Sequence, residues 1–213
     1  MHIHGKSAAD VSPAEALQYL KEGNFRFVTA IHQPRDLLDQ VDKTKEGQSP
    51  FAVIVSCMDS RTSVELIFDQ GFGAVFSIRN AGNVVSDTVL GSLEYATAVA
   101  GAKLIVIMGH SGCGAVRGAI DGVQLGHLTG LLGRIAPAVQ AQQRAWRQAG
   151  SVEHDGAFVE GVTVRNVCQG VDRVLARSDV IRSLLRDGRL DIVPAVHDIA
   201  TGRVRFYERA DPE

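Results

Sequence analysis

Two short segments concentrate residue types that bind metal: Ser56-Cys57-Met58-Asp59-Ser60-Arg61 and Gly109-His110-Ser111-Gly112-Cys113-Gly114. Cys57, His110 and Cys113 together offer two thiolates and an imidazole, a donor set suited to zinc. Zinc takes four ligands, so three from the chain leave one position open, the mark of a catalytic rather than a structural centre. Water in that position is acidified from a pKa near 15.7 towards about 7, which yields a hydroxide nucleophile at neutral pH. Two thiolates donate charge and weaken this effect, which sets the working range somewhat above neutrality. Asp59, two residues after Cys57, can serve as a fourth ligand or accept the proton of the zinc-bound hydroxide. Arg61 follows at the same interval, and its planar fork matches a carboxylate through paired hydrogen bonds. The glycines at 109, 112 and 114 let backbone approach the metal and free amides at the start of the following helix for a small anion.

Taken singly, each residue has a plainer reading. A cysteine at a strand end is usually a small buried hydrophobe, His110 alone could be a satisfied core histidine, and Asp59 with Arg61 could be an ion pair capping a helix. The joint pattern outweighs these readings. Cys168 shares an apolar helical stripe with Val164, Val167 and Val171, so packing is expected of it. An odd count of three cysteines in a chain this long argues against a disulfide scaffold. His32, His127, His154 and His197 are expected in surface or packing roles, one of them a candidate proton relay to buffer.

The elements that must position the two segments can be read from periodicity. FAVIVSC at 51–57, AVFSI at 74–78 and AKLIVIMGH at 102–110 are short apolar runs rich in β-branched residues. Between them, RTSVELIFDQG and SDTVLGSLEYATAVAG have helical spacing and end in glycine. Alternation of this kind predicts strands buried on both faces of a parallel sheet, an α/β fold. Strand ends in such sheets gather functional groups, so Cys57 and His110 can share a site if their strands are neighbours. Upstream, Ser12-Pro13 opens a helix with Leu17, Leu20 and Phe27 on one side, and residues 30–50 read as polar and irregular. Downstream of 112 the chain turns helical, then closes with LDIVPAVHD and GRVRFYE as a hairpin on the sheet edge. The division is an N-terminal helical arm over 1–50 and an α/β metal-binding catalytic domain over 51–213, one single domain overall.

Composition narrows the function classes. The 213 residues are 45% hydrophobic and 22% charged, with a formal net charge of -2, so no electrostatic excess exists to hold nucleic acid or an anionic membrane. The opening MHIHGKSAADVSP lacks the basic and apolar runs of a signal peptide, and no apolar stretch approaches the roughly 20 residues of a spanning helix. A cytoplasmic protein is expected.

SCMDSR at 56–61, RNAGN at 79–83, GSLEYA at 91–96 and GHSGCGA at 109–115 resemble the signatures of the β-class carbonic anhydrases, in the same order. PAEALQYLKEGNFRF and HDIATGRVRF resemble that family's two ends. The resemblance implies a four-stranded, mainly parallel sheet flanked by helices, a homodimer or dimer of dimers with active sites at the subunit interface, and Zn2+ as cofactor. It implies reversible hydration of carbon dioxide to bicarbonate, with Asp59 orienting the zinc-bound hydroxide and Arg61 keeping Asp59 ionised. It also matches Gln48, Phe76 and Tyr95 to positions lining the substrate pocket, some reaching across from the partner; Phe76 and Tyr95 read equally well as packing. Members regulated by a noncatalytic bicarbonate site carry Trp where Ile54 stands, which argues against that regulation here. Two alternatives stay open: hydrolysis of carbonyl sulfide or carbon disulfide at the same centre, and a noncatalytic zinc or bicarbonate-binding protein closed by Asp59.

Overall fold

Uninterrupted β-branched runs become strands covered on both faces. In the computed structural model Ala52–Cys57 (β1), Val75–Asn80 (β2), Leu104–His110 (β3) and Asp191–His197 (β4) lie parallel in the order β2-β1-β3-β4. The structure describes residues 2–3 and 6–7 as backbone and 10–150 and 155–208 with side chains; His4 and His154 lie outside the described residues. Every residue of β1 and β3 is buried, as central strands of a doubly covered sheet must be. Val204–Phe206 (β5) pairs antiparallel with β4 at the edge, forming the expected terminal hairpin and adding a fifth strand to the four that the family resemblance implies. Its turn closes on Asp198, whose carboxylate accepts from Thr201 Oγ1 at 2.6 Å and the Ala200 amide at 3.0 Å.

Even-numbered β1 and β3 residues, Ile54, Val106 and Met108, face Ala16 and Leu20 of helix Pro13–Val28 (α1) and Phe68. Val53, Val55, Ile105 and Ile107 face Asp87–Glu94 (α4), Gly156–Arg177 (α8) and Asp179–Arg186 (α9). A third cluster joins Cys57 and Cys113 to Val116 of Gly114–Ile120 (α5), Leu132 of Gly126–Leu132 (α6), Val139 of Ala136–Gln148 (α7) and Val162 of α8. The ligand candidates therefore sit on apolar packing.

Two expectations are corrected. Residues 30–50 are not wholly irregular: Leu37–Thr44 (α2) is helical, capped by Asp36 and braced by Lys43–Asp39, with no buried residue. A helix that buries nothing leaves too little apolar periodicity to read. The helical pattern over RTSVELIFDQG yields only one turn, Val64–Ile67 (α3), because Asp69 at φ 46 breaks it. Asp69 is itself buried and held by two guanidinium groups, Arg26 Nε at 2.5 Å and Arg35 at 2.5 Å.

Ser12 caps α1 in a reciprocal capping box with Glu15, and Asn24 anchors the helix to the sheet. Asn24 Nδ2 donates to Ile67 O at 3.1 Å and Gly202 O at 2.9 Å, and its Oδ1 accepts from the Val204 amide at 2.9 Å. Replacing Asn24 with Leu keeps the bulk but strands three polar groups, so stability should fall by roughly 3 kcal/mol, read from the midpoint of urea unfolding.

Candidate metal centre

β1 pairs with β3 so that Ser56 lies opposite Met108, and the two strands end within two residues at Cys57 and His110. Past β3 the chain turns through Gly112 at φ 66 and returns Cys113 to the same point as the N-cap of α5. Ligand atoms of Cys57, His110 and Cys113 all lie within 4.8 Å of one another, and all three residues are buried. The two sulfurs are 3.9 Å apart. A tetrahedral zinc with bonds of about 2.3 Å to sulfur spans about 3.8 Å between them, so the pair has the right separation. His110 Nδ1 lies 2.9 Å from Ser111 O and donates to it, which leaves Nε2 as the lone-pair nitrogen. That Nε2 is buried with no hydrogen-bond partner among the described residues. A buried acceptor left open beside two thiols is what a soft metal ion would complete, so these residues fit zinc.

The turn after β1 aims Asp59 at this point. Asp59 Oδ2 stands 3.9 Å from His110 Nε2. Arg61 donates from Nε to Oδ1 at 2.9 Å, from Nη2 to Oδ2 at 2.8 Å, and from its amide to Oδ1 at 3.0 Å. This paired grip holds the Asp59 carboxyl well below the usual carboxylate range despite partial burial. Two further residues pin the turn through its carbonyls. Arg79, at the end of β2, donates to Asp59 O at 2.7 Å and Met58 O at 3.3 Å, and buried Thr62 donates to Cys57 O and Asp59 O, each at 2.9 Å.

The loop after β2 completes the sulfur environment. Gly82 at φ 66 donates its amide to Cys57 Sγ at 3.4 Å. A side chain at this positive φ is strained and its Cβ would also meet Ile135 Cδ1 at 2.7 Å, so glycine is suited to bring this amide to the thiolate. The hydrogen bond from Cys113 favours the Cys57 thiolate and pushes the Cys113 thiol up. On the far side, Ser111 Oγ donates to Asp198 Oδ1 at 3.3 Å and accepts from the Ile199 amide at 3.0 Å, which ties the ligand turn to the terminal hairpin.

The other expected residues are distributed differently. Gly114 opens α5 beside Cys113, with open space where a side chain would stand. Phe76 and Tyr95 stack edge-on with centroids 6.4 Å apart and line a separate cavity of about 500 Å3 with Thr88 and Gly91. Phe76 pairs with Val53, four residues before Cys57 in β1, so neither ring joins the donor group within one chain. Gln48 is exposed in the loop before β1. Cys168, on α8, is a free thiol, half-buried against the core. His197 is buried beside His110 in strand register, with neither ring nitrogen partnered among the described residues, and burial lowers its pKa. Arg79, Thr62 and Gly82 were not singled out from sequence for these roles. Arg79 and Gly82 lie in the RNAGN segment, which was visible as a motif but carried no role of its own.

This sheet, with a Cys-His-Cys group at its carboxyl edge, is the arrangement of the β-carbonic anhydrases. A family model described as carbonic anhydrase matches residues 52–204. Carbonic anhydrase 2 of Mycobacterium tuberculosis is 38% identical over 91% of this chain and 92% of its own length. The carbonic anhydrase of Mycolicibacterium smegmatis is 35% identical over 92% and 93%. The β-carbonic anhydrase CafA of Aspergillus fumigatus superposes with a TM-score of 0.73 at 26% identity, covering 93% of this chain and 92% of that one. The chain belongs to the carbonic anhydrase family, in its β class, and is a carbonate dehydratase. Cys113→Ser should bind added zinc at least about tenfold more weakly than wild type, measured by competition with a chelator, while the far-ultraviolet circular dichroism stays unchanged.

Proposed function

We propose that the chain catalyses the reversible hydration of carbon dioxide with zinc held by Cys57, His110 and Cys113. The observation that carries this reading is the buried three-donor set with Asp59 doubly gripped by Arg61 at its open side. Bound there, zinc would acidify water near neutral pH and supply the attacking oxygen. Asp59 acts as the acceptor that orients the attacking oxygen through its proton, and Arg61 keeps the carboxylate ionised and aimed away from direct ligation. Because the Asp59 carboxyl is held so low, its charge is constant across the working range. The expected rise of turnover with pH above about 7 is therefore assigned to the water and not to Asp59.

The assembly we infer is a dimer or a dimer of dimers. β2 is an edge strand, and Met58, Leu66, Phe72, Tyr95 and Val99 are exposed apolar residues on the chain that carries it. Two β-carbonic anhydrases of Sordaria macrospora, one of them 31% identical to this chain with a TM-score of 0.69, are tetrameric. In such an assembly Phe76, Tyr95 and Gln48 would line the substrate pocket, some of them reaching across from the neighbouring subunit. Gly114, at the start of α5, would offer its amide to the bicarbonate product.

Asp59→Asn should keep zinc at the wild-type level, lower kcat by about 100-fold, and leave the midpoint of the pH–rate profile in place. Full activity in that variant would remove Asp59 from the mechanism. Carbon dioxide hydration should also exceed carbonyl sulfide and carbon disulfide hydrolysis on the same sample; the reverse order would reassign the substrate. Zinc without turnover on any of the three would indicate a closed binding site.

A further inference from the structure

The loop that presents Gly82 to Cys57 has its other side on a second cavity. Asn80 closes the loop across itself, donating from Nδ2 to Val84 O at 2.9 Å and accepting from the Val84 amide at 2.8 Å. Asn166 of α8 donates to Gly82 O at 3.1 Å. Between this loop, the first turn of α7 and the middle of α8 lies a cavity of about 250 Å3 whose polar walls are Asn83, Arg134, Asn166, Gln169, Asp172 and Arg173.

Two donors in these walls are buried without a hydrogen-bond partner among the described residues, Asn83 Nδ2 and Arg173 Nε. Asn83 is 3% exposed and sits at φ 46, a left-handed conformation that asparagine tolerates better than most side chains. Its Oδ1 lies toward Gly109 at the end of β3, which leaves the amide nitrogen for the opposite side. Buried donors without acceptors are strongly disfavoured, so a pair of them in one cavity marks a place for an acceptor. The charge balance has the same sense. Arg134 and Arg173 line the cavity against one carboxylate, Asp172. Asp87 of α4, paired with Arg177 at 2.5 Å, also lies within electrostatic reach of Arg134 and Arg173, so two carboxylates face three guanidinium groups here and one positive charge is left over. A water molecule could accept from both donors, but it must then donate its own hydrogens and leaves the excess positive charge in place. A small oxyanion accepts from every donor at once and balances the guanidinium groups.

We propose that this cavity is a binding site for a small oxyanion, with phosphate and bicarbonate as the two sources of that chemistry, separate from the Cys57, His110 and Cys113 centre. Asn83 Nδ2 and the Arg173 and Arg134 guanidinium groups hold the anion. Since Asn83 follows Gly82 directly, an occupied cavity braces the turn whose amide faces Cys57, and occupancy slows the escape of metal from the centre. This coupling rests on the zinc reading above; the binding does not.

The zinc-loaded protein is titrated calorimetrically with inorganic phosphate and, separately, with bicarbonate, at ionic strength held constant with chloride. Wild type should bind at least one of them saturably, and Arg173→Gln and Arg134→Gln should each weaken that binding by about tenfold or more while melting within a few degrees of wild type. Binding of phosphate alone or of bicarbonate alone identifies the source. Zinc loss to a chelator should slow severalfold on adding the bound anion to wild type, and not in Arg173→Gln. No saturable binding of either anion, or equal binding in both variants, overturns the site and leaves the cavity to water. Binding with no effect on zinc loss overturns only the coupling, and binding in a protein that fails to retain zinc separates this site from the metal reading.

Discussion

The structure depends most on the parallel register of β1 with β3. Ser56 opposite Met108 brings a thiol and an imidazole to the ends of adjacent strands, about 4.8 Å apart in the hydrogen-bonding direction. A slip of one residue would turn Cys57 to the other face of the sheet and remove Ile54 and Val55 from their cores. The apolar alternation that builds the two cores therefore also sets the position of the first two donors. The third is placed by local chemistry, since Gly112 supplies the left-handed turn that returns Cys113.

Around this point the chain spends few charges and many backbone hydrogen bonds. Arg61 addresses the Asp59 carboxylate, while Arg79 and Thr62 address the carbonyls beneath it, so the same turn is gripped from solvent, from β2 and from below. Gly82 gives the Cys57 sulfur an amide, and Asn166 holds that glycine from a helix distant in sequence. A ligand fixed by this many independent contacts needs little rearrangement to meet an ion, which is the benefit of second-layer hydrogen bonding in metal sites.

Much of this is legible in the sequence itself. β1 and β3 announce themselves as unbroken Val and Ile runs, and Ser12-Pro13 reads as a helix start. Cys57, His110, Cys113, Asp59 and Arg61 are recognisable because their types and spacing have few other joint explanations. What escaped shares a physical cause. α2 buries no residue and so leaves no core-facing period. α3 stops after one turn because Asp69 is drawn into a buried ion pair with Arg26 and Arg35, residues more than thirty positions away. The roles of Arg79, Gly82 and Asn166 consist of contacts across 20, 25 and 84 positions, which no local pattern records.

The central claim is that one buried Cys-His-Cys group, with Asp59 held ionised and off the metal, performs the chemistry. It is tested most directly by stopped-flow carbon dioxide hydration at pH 7 and pH 8.5 with zinc determined on the same sample. The account predicts about one zinc per chain and turnover that rises between the two pH values. Full zinc occupancy with no turnover at either pH would contradict it.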